Sequence, residues 1–130
     1  MTHEQCAEAI LLEMRDKDGV FDFIVRKEVF DQIGIDWIAG RYVKVGEKQK
    51  ELRIFIQHKS SKESAFFFAQ RNPCSILWIV DCSTTPIKAK LSLLRLVIRE
   101  LSRIKSNPNV QFFKEKLNEL KNLSNYTPPE

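Results

Sequence analysis

Apolar and polar positions change period several times along this chain, and each change marks an element. Ala7, Ile10, Leu11 and Met14 recur at helical spacing, so residues 3–15 read as a helix that Asp16-Lys17-Asp18-Gly19 brings to a stop. "VFDFIVR" (20–26) is rich in β-branched and aromatic residues and predicts a strand. "IGIDWIAGRYVKV" (33–45) and "LRIFIQHK" (52–59) predict two more, joined by a turn around Gly46. Ser60, with Glu63 three residues on, opens a capping-box pattern for a helix over 60–72 that Pro73 closes. "SILWIVD" (75–81) is continuously apolar, as in a strand covered on both faces. A long helix is expected over 86–105, beginning at Pro86. After "SNPN" (106–109) a short amphipathic helix leads into the tail "SNYTPPE".

The strand, helix, strand order over 52–81 favours a parallel crossover, and with the preceding hairpin it predicts an α/β fold. The expected sheet is mixed, has about four to five strands and is flanked by helices. At 130 residues the chain has room for one core. We read residues 1–123 as a single domain, with a core over 3–81, a helical part over 86–123 and a flexible tail over 124–130. A composition of 43% hydrophobic and 29% charged residues is ordinarily globular.

Charge and cysteine content narrow the setting. A formal charge of +4 suits a polyanionic partner without requiring one. Cys6, Cys74 and Cys82 form no CxxC pair, and no secretory leader is evident ahead of them, so reduced thiols in the cytoplasm are expected. No apolar run is long enough to span a bilayer, and no membrane partner is expected. His3 and His58 complete no zinc-ligand spacing with the cysteines.

Chemistry concentrates in "IFIQHKSS" (54–61), where an apolar strand ends in Gln57, His58 and Lys59. Alternation places Gln57 and Lys59 on one face and His58 on the other. If this strand pairs antiparallel with 33–45 about Gly46 and Glu47, residues whose numbers sum to about 93 lie opposite each other. Asp36 then faces Gln57, with Lys59 diagonally near. A carboxylate, an amide oxygen and an ammonium converging in this way suit phosphodiester hydrolysis. The oxygens hold a hard divalent ion and the ammonium steadies charge on the phosphate.

"GID" (34–36) followed by "IQHKSS" resembles the PD-(D/E)XK nuclease superfamily, especially its Holliday-junction-resolvase and Mrr-like branches. The element order over 3–81 looks like the superfamily's core, which implies a restriction-endonuclease-like, three-layer fold. The resemblance implies that Asp36 is the central metal ligand, Gln57 the second ligand, Lys59 the catalytic lysine and the His58 carbonyl a further metal contact. It also implies a helix-borne acid, for which Glu4, Glu8 and Glu13 are candidates. Relatives place that acid about three turns before a helix-ending Gly, which favours Glu8 relative to Gly19, with Glu4 second and Glu13 pointing elsewhere. The implied cofactor is Mg²⁺, with Mn²⁺ an alternative, and the implied partners are DNA and a second copy of the chain in a homodimer. Gln57 departs from the usual Asp or Glu, which should weaken metal binding. Some relatives carry QxK, and Glu63 is available as a displaced acid.

Each of these residues also has a structural reading. Asp36 with Lys59 would serve as a buried ion pair, Glu8 as solvated helix surface, the His58 ring as core, and Phe66, Phe67 and Phe68 as sheet-covering bulk. Lys88, Arg95, Arg99 and Arg103 form a basic stripe on the long helix, and Lys44, Lys48 and Lys50 surround the hairpin turn. Both sets suit binding to phosphates, and both are also what an outer face or a turn ordinarily carries. The expected function is therefore a metal-dependent DNA endonuclease. The alternatives are a nuclease-like DNA-binding module that has lost efficient metal binding, or a protein-interaction subunit.

Overall fold

The computed structural model describes residues 2–26, 36–61, 76–103 and 107–125. Local chemistry starts the first helix: the Thr2 hydroxyl accepts the Gln5 N–H at 3.1 Å, and Gln5 Oε1 accepts the Thr2 N–H at 2.9 Å. This capping box begins α1 (His3–Asp16), which buries Ala7, Ile10, Leu11 and Met14, the four residues of the apolar repeat. Gly19, at φ +64°, reverses the chain. Val20 and Phe21 then enter the core before β1 (Phe23–Arg26) begins.

β2 (Trp37–Val45) and β3 (Lys48–Lys59) form the hairpin, and β4 (Ile76–Ile79) completes a sheet of order β1-β2-β3-β4. Pairing is antiparallel from β1 to β3 and parallel between β3 and β4, so the described sheet is four-stranded and mixed. Gly46, at φ +67°, sits in the two-residue connection between the paired Val45 and Lys48. β3 starts four residues before the expected boundary at 52. Its polar start, "KQKE", belongs to a two-stranded ribbon exposed on both faces, where no apolar alternation reveals the strand. The helix expected over 60–72 and the start of the strand expected at 33 fall largely outside the described residues.

α2 (Pro86–Leu101) starts at Thr85, whose side chain caps the Lys88 N–H, and it ends four residues before the expected boundary at 105. α3 (Asn109–Asn125) follows. One sheet face, carrying Trp37, Ala39, Ile54, Ile56, Ile76 and Trp78, shares a continuous core with Leu11 and Met14 of α1. Leu93, Leu94 and Val97 of α2 and Phe113 of α3 join the same cluster. Trp78 Nε1 donates to the Ala89 carbonyl at 3.0 Å, so the largest ring of β4 also satisfies its one polar atom against α2. Among the described residues no helix is long and apolar enough to cross a membrane.

Two features of this core depart from the sequence expectations. Cys6 on α1 and Cys82 after β4 are joined as a disulfide, with Cα atoms 5.7 Å apart across a sequence separation of 76. The expectation of three reduced thiols fails for this pair, because pairing depends on tertiary proximity that spacing along the chain does not encode. Cys74 lies outside the described residues. The second departure is Lys90, which falls within the apolar stripe of α2 and is 5% exposed. Its ammonium lies 2.6 Å from Glu13 and 2.7 Å from Asp18. Desolvation pulls the Lys90 pKa down, but the hydrogen bonds and charges of Asp18 and Glu13 outweigh it and leave a net upward shift. The Lys90 hydrogen bond likewise holds Glu13 below its ordinary value.

The signs of these shifts define a stability window. Lys90 contributes fully below its ordinary 10.5 and loses its contribution as pH rises through the raised folded value. Glu13 contributes above its ordinary 4.5 and loses its contribution as pH falls through the lowered one. Lys90→Met should therefore cost about 3 kcal/mol at pH 7, since it strands the nearly buried Asp18 carboxylate. Urea denaturation at several pH values checks this: the deficit should shrink below pH 4.5, where the parent's ion pair weakens as well.

Candidate functional site

The β2–β3 ladder pairs Trp37 with Ile56, a sum of 93, and one more step sets Asp36 opposite Gln57. The Asp36 N–H donates to the Ile56 carbonyl at 2.9 Å, which continues the ladder beyond β2. Asp36 Oδ2 accepts the His58 N–H at 2.7 Å, which fixes the carboxylate's orientation. By strand alternation Asp36, Gln57 and Lys59 share the face opposite Trp37 and Ile56. Together with Glu4 and His58 they line an open cleft of roughly 360 Å³.

Gln57 is the unusual member of this group. It is 6% exposed, and its Oε1 is buried with no hydrogen-bond partner among the described residues. Its Nε2 makes only a long 3.4 Å bond to the His58 carbonyl. A buried amide oxygen without a partner costs stability, so this side chain, whose oxygen is unpartnered among the described residues, is a candidate for holding a ligand.

His58 divides between the two sides of the sheet. Its ring Nε2 donates to the Val80 carbonyl at 2.7 Å. The ring meets Trp37 edge-on at 6.0 Å and Trp78 at 6.5 Å. The imidazole is a core group, and the backbone carbonyl beside Gln57 is the part of His58 suited to a ligand.

Of the helix-borne acids, Glu4 lines the cleft. Glu8, the residue favoured on spacing, is not among the lining residues and lies one turn further along α1. α1 ends at Asp16, one residue past the expected end at 15, so the helix boundary itself agrees with the sequence reading. Arg26 holds both acids: Nη2 lies 2.7 Å from Glu4 Oε1 and Nη1 3.2 Å from Glu8 Oε2. The sequence reading missed Arg26, whose place is set by its pairing with Trp37 at the end of β1. The signal available was a cation closing an apolar strand. Glu13 points away from the cleft, toward Lys90, as expected.

The basic residues lie apart from the cleft walls. Lys88, Arg95 and Arg99 are exposed on α2, and Arg103, exposed in the turn just after it, is 3.4 Å from Glu100. Lys44, Lys48 and Lys50 are exposed on the hairpin. Glu63, Phe66, Phe67 and Phe68 lie outside the described residues.

Among the described residues no group of three or more His, Cys, Asp and Glu side chains is placed to hold a metal. The residues lining the cleft bring two carboxylates, an amide and an ammonium to it, with His58 beside them. Such an oxygen set suits a hard divalent cation. Comparison of the chain with protein-family models, curated proteins and solved structures gives no match.

If Gln57 is kept for a ligand rather than for the fold, removing its amide should not weaken the protein. Gln57→Leu is expected to leave stability unchanged or raise it by up to about 1 kcal/mol in urea denaturation. A loss of about 1 kcal/mol or more would mean that the amide has a structural partner.

Proposed function

We propose that the protein is a metal-dependent DNA endonuclease of restriction-endonuclease-like architecture, acting as a homodimer because duplex cleavage needs two such clefts. The observation that carries this reading is Gln57, a residue that lines a cleft with Asp36, Glu4 and Lys59 and whose buried side-chain oxygen is unpartnered among the described residues. The order Asp36, Gln57, Lys59 on neighbouring antiparallel strands supports it.

Asp36, Glu4, Gln57 Oε1 and the His58 carbonyl would hold Mg²⁺ or Mn²⁺. When bound, the ion would acidify a water and offset charge on the phosphate. The chain's own residues do the remaining work. The His58 N–H keeps one Asp36 oxygen turned back to the strand, and so sets the orientation in which the carboxylate meets a ligand. Arg26 pairs with both Glu4 and Glu8 and offsets one of their two negative charges until a cation or substrate competes for them. The Lys59 ammonium, on the same sheet face as Asp36, serves a scissile phosphate as a charge-stabilising donor.

A second reading rests on two of the same facts. Gln57 carries no charge and Arg26 offsets one of the two helix-acid charges, so the cleft has less negative charge to draw in a cation than its carboxylates suggest. On that reading the domain binds DNA without efficient cleavage.

Purified protein incubated with supercoiled, linear and branched DNA in Mn²⁺ or Mg²⁺ separates the two. Asp36→Ala and Lys59→Ala should each lower nicking by at least about 100-fold with circular dichroism unchanged. Nicking by both variants at the parent's rate would end the assignment, and absence of nicking by the parent in either metal would favour the binding module. The α2 stripe has its own test. Arg95→Ala combined with Arg99→Ala should flatten the salt dependence of DNA binding by about 0.9 on the log scale for each phosphate no longer neutralised. An unchanged slope would place the DNA surface elsewhere.

A further inference from the structure

The first turn of α1 contributes Glu4 to the cleft, yet it buries no side chain. Among the described residues of this helix, burial begins at Ala7. Its position is set instead by attachments to the segment after β4. Cys6 is bonded to Cys82, and His3 Nδ1 accepts the Cys82 N–H at 3.0 Å. Those two attachments bracket Glu4 in the sequence.

The segment they hold to is itself firm. The Asp81 carboxylate accepts the N–H groups of Ser83 at 2.8 Å and Thr84 at 2.9 Å, and Thr85 then caps α2. Hydrogen bonds from Ser83 and Thr84 hold the Asp81 carboxyl below its ordinary pKa, so this turn stays intact through neutral pH. The bond therefore ties a loosely packed, cleft-bearing helical turn to a fixed anchor. Cys82 is exposed and Cys6 half-buried, so a thiol donor can reach the pair.

We infer that the Cys6–Cys82 bond is a thiol-responsive latch that holds the first turn of α1, and with it Glu4, against the cleft. A dithiol donor opens it by exchange: one donor thiolate attacks a bridging sulfur, the second closes the donor's own disulfide, and two protons and two electrons leave Cys6 and Cys82 as thiols. Without the bond, the turn is left with its capping box, the His3–Cys82 hydrogen bond and the partly exposed Arg26 ion pair, each weaker than a covalent bond. The effect on metal binding rests on the proposed reading of the cleft. The effect on the helix does not.

The test compares air-oxidised protein, the same protein in excess dithiothreitol, and Cys82→Ser. Alkylation in denaturant, read by mass, should modify one of the three cysteines in the oxidised protein and all three after reduction. Reduction should lower Tm by about 10 °C. It should speed hydrogen exchange at residues 3–10 by at least about 10-fold, within the range of sub-global opening. It should also weaken Mn²⁺ binding by at least about 5-fold, as expected when a carboxylate ligand is lost. Cys82→Ser should match the reduced protein with or without dithiothreitol, and the reduced parent supplies the same comparison should that variant fail to fold.

Alkylation of all three cysteines before reduction would overturn the latch, as would unchanged exchange at residues 3–10. Faster exchange with unaltered Mn²⁺ affinity would overturn the coupling to the cleft. Faster exchange with no Mn²⁺ binding in either state would uphold the latch and overturn the metal reading of the cleft.

Discussion

The register between β2 and β3 is the constraint on which both the core and the cleft depend. Strand side chains alternate, so slipping β3 by one residue would carry Gln57 and Lys59 to the helix-covered face and turn Ile54 and Ile56 away from it. Two features prevent the slip. Gly46 adopts the positive φ that a two-residue connection needs. Beyond it, Trp37 pairs with Ile56 and Ala39 with Ile54, apolar partners that must both face the helices. Gly40 pins the neighbouring pair, since the Phe23 ring occupies the space a Cβ at this position would need. The requirement to bury tryptophan and isoleucine on one side is thus what delivers Asp36 and Gln57 to the other.

The acids of α1 show how far burial changes the worth of a charge. Glu13 meets a lysine that is almost wholly enclosed, so removing its acidic partners would leave the Lys90 ammonium unpaired in a low-dielectric interior. Glu4 and Glu8 meet Arg26 where all three side chains keep a third or more of their surface in solvent, so screening leaves that pairing little net energy. It orders two carboxylates without contributing much to folding. One end of the helix is therefore anchored by electrostatics and the other only guided by it.

Much of this was legible in the chain because the apolar pattern carried it. The α1 repeat, the hairpin about Gly46 and the parallel placement of the strand at 76–79 all follow from spacing, and the same arithmetic set Asp36 beside Gln57. What escaped notice had no periodic signature. Lys90 looked like any cation on an amphipathic helix until two acids from another element closed on it. The Cys6–Cys82 bond joins elements whose proximity only the finished fold creates. Arg26 was hidden for a related reason, since its partners are fixed by how α1 lies against β1. Glu4 rather than Glu8 lines the cleft, one turn from the residue that counting back from Gly19 favoured.

His58 has a further consequence. Its main chain belongs to the cleft, through the N–H given to Asp36 and the carbonyl beside Gln57, while its ring belongs to the core between two tryptophans. A side-chain scan would score this position by the wrong half of the residue. Truncating the ring would disturb Trp37 and Trp78 and depress every property of the protein at once, giving a histidine the profile of a catalytic acid or base. Conversely, a large aromatic substitute that packed well could leave the cleft's hydrogen bonds intact and pass as silent. In a natural population of sequences, position 58 would then drift under packing rules while its N–H kept its bond to Asp36 whatever the side chain.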